Sequence, residues 1–274
     1  MSWAGLAGAG VSVSDSPLEQ RRFGVTVGRV VVGNDTPTTT TAAALAEALH
    51  GASHDVLVVR WPSERVALAA TVASSGRIVL PADVLTYWEV AAEELARVAL
   101  RDGGALRIDR GSDRAADGIE SLVSVVESSF AAYGNHYTAN PAFDPELALA
   151  GYVEWARTAF ERHPDDACFL IDGATPIGVA TLSEDRERGD LEVELAGLVP
   201  DSQGRGLYGH LLRAVGDEAL RRGLGRVIIS TQAHNVRVQR AWAGLGLRPF
   251  AAVTTAHAVR PGSSAAQMLR AQRS

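Results

Sequence analysis

A single cysteine, Cys168, stands in the 274-residue chain. An internal disulfide and a cysteine-based metal site are therefore excluded. Cys168 lies in the apolar run Ala167-Cys168-Phe169-Leu170-Ile171, so a buried strand position is expected. No apolar run approaches the roughly 18 residues of a membrane span. Residues 1 to 14 are small and apolar but carry no basic leading stretch, so no signal peptide is expected and the cytoplasm is the expected location. Positive charge is not in excess: the net charge is −6 and the pI is near 5.7. That balance argues against a nucleic-acid partner. Of the seven histidines only His50 and His54 stand at H-x-x-x-H spacing, without the Glu of an H-E-x-x-H motif, and no metal is expected. What is present is ordinary for a soluble chain, with 46% hydrophobic and 21% charged residues. A core of one domain or two is within reach.

The most informative segment is near the C-terminal third. An apolar strand, Leu191 to Leu198, leads through Val199 and Pro200 into Gln203-Gly204-Arg205-Gly206-Leu207-Tyr208-Gly209. A helix follows, with Leu207, Leu211, Leu212, Val215 and Ala219 on one face. Glycines let a backbone approach a bulky anion closely, and the unpaired N–H groups of a helix N-terminus attract one. A phosphate-bearing ligand is expected here. A P-loop requires Lys and then Ser or Thr after the last glycine, where Leu207 and Tyr208 stand. Gly204 to Gly209 does satisfy G-x-G-x-x-G, which points to NAD. The next strand, Val227 to Gln232, ends without the acidic residue that a dinucleotide site uses.

Gln203-Gly204-Arg205-Gly206-Leu207-Tyr208 resembles the acetyl-CoA motif Gln/Arg-x-x-Gly-x-Gly/Ala of the Gcn5-related N-acetyltransferases (GNAT superfamily), with Tyr208 where Gly or Ala is usual. Asn235, then Gly246-Leu247, then a strand from Pro249 resemble the family's Asn-x-x-Ala-(x)3-Tyr-(x)3-Gly-Phe element, with Trp242 at the tyrosine position. The resemblance implies an α/β (α+β mixed sheet) GNAT fold, acetyl-CoA (coenzyme A) as co-substrate and acetyl transfer to an amine. It implies cofactor contacts from Leu198, Val199, Gln203, Gly204, Arg205, Gly206, Leu207, Tyr208, Gly209, Asn235 and Trp242.

Periodicity gives strands at 22–32, 55–61, 79–90, 105–109, 168–172, 177–182, 191–198 and 227–232. Helices are expected at 38–50, 64–73, 117–133 and 145–162, the last capped by Asp144 and opened by Pro145. Arg101-Asp102-Gly103-Gly104 reads as a linker. The resulting division is 1–102, an N-terminal truncated GNAT-like domain; 105–257, the acetyl-CoA-binding domain; and 258–274, a loose or weakly helical tail. Phe23 to Arg29, Asp55 to Arg60, Tyr133 to Pro141 and Tyr152 to Ala156 resemble the bacterial dTDP-fucosamine (4-amino-sugar) acetyltransferases. That resemblance implies a small-molecule amine as partner, with a nucleotide-linked amino sugar foremost. A homodimer is a further expectation of the fold.

Acetyl transfer needs a base, an oxyanion donor and help for the departing thiolate. Gly197 in a strand interior signals a bulge at Ala196 to Val199 that would free the Leu198 amide as the donor. Glu192 and Glu194 alternate with Leu191, Val193 and Leu195, which are expected on one face with both acids on the other. A carboxylate beside an apolar cleft has a raised pKa, which suits Glu194 as base, with Glu192 second. Trp242 can donate a hydrogen bond but is far too weak an acid to protonate a thiolate. The thiolate then leaves unprotonated, or Tyr208 substitutes, or the chain is an acyl-CoA-binding relative that is decarboxylase-like or regulatory. His136 and Tyr137, in a polar loop, are the expected acceptor-binding residues.

Overall fold

The structure is a computed structural model that describes residues 2–100, 104–114, 117–131 and 133–271. Strand β1 (Val11–Asp15) and helix α1 (Pro17–Phe23) lead into β2 (Val27–Val32), α2 (Thr38–Gly51) and β3 (Val56–Pro62). Then come α3 (Leu68–Ala73), β4 (Ile78–Ala91) and α4 (Ala92–Ala96). The second run opens with β5 (Leu106–Arg110), α5 (Gly118–Phe130) and α6 (Pro145–Arg162). The strands β6 (Ala167–Asp172), β7 (Thr175–Asp185) and β8 (Asp190–Leu198) follow. It closes with α7 (Tyr208–Arg221), β9 (Arg226–Gln232), α8 (Val236–Gly244), β10 (Arg248–Val259) and α9 (Ser264–Ala271).

Two compact units form. Unit 1 takes residues 1–86, 134–148 and 251–274; unit 2 takes 87–133 and 149–250. The division therefore falls inside β4 and is discontinuous in sequence, whereas the linker expectation placed it at 101–104. Of that linker, Arg101, Asp102 and Gly103 lie outside the described residues.

In unit 1 the strand order is β1-β2-β3-β10-β4. β2 and β3 are parallel across α2, and β10 runs antiparallel to β3. Both faces of β3 are covered, and every residue in it is buried. Leu57 and Val59 pack with Leu45 and Leu49 of α2, while Val56 and Val58 pack with Phe23, Phe143 and α9. Double-sided burial is why this strand reads as a continuous apolar run. Two expectations are corrected here. Arg22 and Phe23 are not strand but the end of a helix that Pro17 opens. The segment after 258 is not loose: α9 buries Ala265, Ala266 and Leu269 against the Val27–Val58 face.

In unit 2 the order is β4-β9-β8-β7-β6-β5. β6, β7 and β8 form an antiparallel meander, and β8 and β9 are parallel across α7. Leu211, Leu212, Val215 and Ala219 of α7 are buried against Leu191 and Val193. On the other face Leu122, Val126, Phe130, Ala156 and Phe160 of α5 and α6 pack with Phe169, Val179 and Leu195. The α6 cap forms as expected, with the Glu146 N–H donating to Asp144 Oδ1 at 2.9 Å. Cys168 is buried in β6, and burial pushes its thiol up to about 12.

The register of β8 corrects one expectation. Thr181 pairs with Leu195 and Leu182 with Val193, so Glu194 is an extra residue on β8. Such a bulge resets the alternation. Leu191 and Val193 face α7, whereas Leu195 faces α5 and α6. Glu192 is buried.

Candidate functional site

The polar groups of unit 2 gather where β8 and β9 part. Their register runs from Asp190–Arg226 to Val193–Ile229. Beyond it, among the described residues, the two strands do not pair, although β8 continues to Leu198 and β9 to Gln232. β8 stays paired with β7 through Leu198–Gly178, and the Val199 N–H donates to Ile177 O at 2.9 Å. In an antiparallel ladder the residue beside such a bonded pair turns its N–H and C=O away from the partner strand. The Leu198 amide and carbonyl therefore face the side that β9 vacates. The carbonyl accepts from Gln203 Nε2 at 2.9 Å.

The bulge expected at 196–199 is not there: pairing with β7 is unbroken from Leu195 to Leu198, and the irregularity sits at Glu194. Gly197 has a different cause. A Cβ on it would stand 2.8 Å from Ser129 Cβ and 3.3 Å from Phe130 Cε2, so α5 needs a glycine beneath it. Gly197→Ala should therefore cost about 1–3 kcal/mol by overpacking, read as a lower urea midpoint; an unchanged midpoint would refute the close approach.

The glycine-rich turn is held by side chains at both ends. Gln203 bonds the Leu198 carbonyl and accepts from Arg237 Nη2 of α8 at 2.7 Å. Gly204 and Gly206 have φ of 77° and 81°, and nothing lies within 4 Å of a Cβ built on either. Left-handed backbone with open space beside it suits a close-approaching ligand, and it precedes the positive end of α7. Arg205 is exposed and Leu207 half-buried. Gly209 differs: it is buried, and a Cβ there would meet Leu100 Cδ2 at 2.8 Å, so it serves packing.

Trp242 of α8 is buried, edge-on to Trp88 at 6.0 Å between ring centroids. Its indole N–H donates to Tyr208 Oη at 3.5 Å. Burial pushes the Tyr208 hydroxyl pKa up, and the nearby Tyr133 adds to the rise. Tyr133 donates to Gln232 Oε1 and lies 3.1 Å from Thr231 Oγ1. Asn235 Nδ2 donates to the same Thr231 hydroxyl at 3.0 Å and makes no side-chain cap for α8. Tyr133, Thr231 and Gln232 were not among the residues singled out from the sequence. The available signal was two polar residues closing an otherwise apolar strand. Glu194 is half-buried, and burial raises its carboxyl pKa against a hydrogen bond from Ser183.

His136 and Tyr137 belong to unit 1, whereas the residues described above belong to unit 2. His136 is buried and Tyr137 half-buried. His136 Nδ1 lies 3.0 Å from His257 Nε2. Tyr137 donates to Glu19 Oε1, and Arg29 Nε donates to Glu19 Oε2 at 3.2 Å. Burial lowers both imidazole pKa values, with the Arg60 charge adding to the effect; His257 falls to about 3.

Among the described residues no group of three or more His, Cys, Asp or Glu could hold a metal, and no helix is long and apolar enough to cross a membrane. Residues 131–247 match the family described as "Acetyltransferase (GNAT) family". No curated protein matches the chain. Similar solved structures include a GCN5-related N-acetyltransferase from Sphaerobacter thermophilus, 12% identical, covering 92% of this chain and 78% of that one with a TM-score of 0.58. Another, from Kribbella flavida, is 16% identical and covers 87% and 82%, with a TM-score of 0.53. A tandem GNAT protein from the clavulanic acid biosynthesis pathway is 16% identical and covers 85% and 75%, with a TM-score of 0.56. At these identities the likeness is one of fold. Residues 131–247 therefore match the acetyltransferase (GNAT) family, and the chain shares the fold of GCN5-related N-acetyltransferase structures.

Proposed function

We propose that the protein transfers acetyl from acetyl-CoA to the amine of a small molecule by direct attack in a ternary complex. The observation that carries this reading is the open edge of β8 at Leu198, adjoining the glycine-rich turn. In it, Val199, Gln203, Gly204, Arg205, Gly206, Leu207, Tyr208 and Asn235 hold coenzyme A. The Leu198 N–H receives the carbonyl oxygen as it gains negative charge. Glu194, directly or through water, takes the amine proton; Glu192 is the second candidate. His136 and Tyr137 bind the acceptor, and the resemblance to 4-amino-sugar acetyltransferases makes a nucleotide-linked amino sugar its leading form.

Unit 1 is read as the truncated half. Its β2-α2-β3 segment has the same parallel arrangement as β8-α7-β9. Its turn into α2 is closed, however: the N–H groups of Gly33, Asn34 and Asp35 donate to Gly10 O, Leu6 O and Gly8 O. Amides so engaged are not free for a phosphate, which supports one acetyl-CoA per chain. The test is release of free thiol from acetyl-CoA across a panel of small amines that includes nucleotide-linked amino sugars. All 26 basic residues are arginine, so no lysine of the enzyme contributes background. Amine-dependent thiol release is expected; its absence across the panel with bound acetyl-CoA would overturn the transfer reading.

A further inference from the structure

Resting on the acetyl-transfer reading, we propose that Tyr208 donates a hydrogen bond that stabilises the departing thiolate and that Trp242 is its positioning residue. Around the parting of β8 and β9 the ring side chains of Tyr133, Tyr208 and Trp242 each carry an N–H or O–H. An indole N–H does not ionise in this range and can only donate a hydrogen bond. The Tyr133 proton is committed, because the Gln232 Oε1 that it meets is an acceptor. Tyr208 is placed differently. Its oxygen accepts from the Trp242 indole, and among the described residues that is its one hydrogen bond. Its own proton is thereby directed away from Trp242 and has no acceptor.

The place suits the task. Tyr208 opens α7, two residues beyond Gly206, and packs against the cluster that contains Leu198 and Trp242. It is half-buried, so the ring is fixed while part of it reaches the surface. Burial and the nearby Tyr133 keep the hydroxyl protonated across neutral pH. Two of the positions at which the sequence departs from the motif patterns, Tyr208 and Trp242, touch each other.

The step balances as follows. The amine nitrogen forms its bond to the thioester carbon, and the C–S bond breaks with its electron pair passing to sulfur. The thiolate leaves with a hydrogen bond from the Tyr208 O–H, which stays intact. The thiolate then takes from solvent a proton in place of the one that the amine lost to Glu194.

The test uses coenzyme A itself, so no acceptor need be known. The thiol of bound coenzyme A is titrated by its thiolate absorbance on the full chain. With a charge-assisted hydrogen bond from Tyr208, the bound thiol should ionise at lower pH than free coenzyme A, and about tenfold more readily than on Tyr208→Phe. Trp242→Phe should give a smaller loss in the same direction. Identical titrations on wild type and Tyr208→Phe would overturn the proposal. So would a wild-type thiol that titrates at or above free coenzyme A, a result that needs no variant. Failure of wild type to bind coenzyme A would overturn the acetyl-transfer reading and this proposal with it. Binding with an unshifted thiol would overturn the role of Tyr208 alone.

Discussion

Glu194→Gln is expected to lower kcat by roughly 10²- to 10⁴-fold, the range for loss of a general base, with acetyl-CoA affinity little changed. The carboxyl sits at a bulge where burial raises its pKa. A base with a raised pKa holds the proton that it takes more firmly. The wild-type rate should therefore climb with pH through that raised value, and the Gln variant should lack this acidic limb. Stability should move the other way. A carboxyl with a raised folded pKa costs stability when it is charged, so at pH 7 the neutral amide should unfold no earlier than wild type, and later if the burial cost dominates. Lost activity with retained or increased stability separates a catalytic role from misfolding. A Gln variant that keeps both rate and acidic limb would move the base to Glu192 or elsewhere.

Acid should weaken unit 1 in a window set by its two buried imidazoles. His136 and His257 meet at 3.0 Å, with Arg60 and Arg29 adding positive charge and Glu19 and Tyr137 completing the polar surroundings. Both imidazole pKa values are lowered in the fold, that of His257 to about 3. Above about pH 6.5, the unperturbed histidine value, folded and unfolded chains both hold neutral rings and the stability is fully present. As pH falls from there toward 3, the unfolded chain binds protons that the fold refuses, and stability drains away. For His257 alone the loss should reach on the order of 2 kcal/mol by pH 5. Glu19 acts later, because its lowered pKa makes its contribution fade only below the ordinary carboxyl range. Urea midpoints between pH 8 and 5 would show the slope, and His257→Asn should flatten it. A midpoint constant across that range would contradict the buried neutral pair.

Much of this was legible in the sequence where the signal is local. The glycine-rich turn, the apolar stripe of α7, the Asp144 cap with Pro145, and the extent of α2 and α6 all follow from neighbours a few residues apart. The order from β5 to β10 was legible for the same reason. What was not legible depends on partners distant in the chain. The bulge at Glu194 exists only in register with β7, and it sent Leu195 to the opposite face from Val193. The free edge at Leu198 comes from β9 ending its pairing, not from Gly197. The contact of Tyr208 with Trp242 spans 34 residues, and that of His136 with His257 spans 121. The tail became a packed helix because unit 1 offered an apolar face that the tail's own short sequence does not announce.

Calorimetric titration of the full chain with acetyl-CoA, alongside NAD as control, tests the central claim most directly. The account predicts one acetyl-CoA per chain bound in the micromolar range, no response to NAD, and at least about tenfold weaker binding by Gly206→Val, whose side chain would fill the open turn and strain a backbone at φ 81°. No binding of acetyl-CoA, or binding undisturbed by that substitution, would contradict it, and the turn after β8 would then be only a strand-to-helix connection.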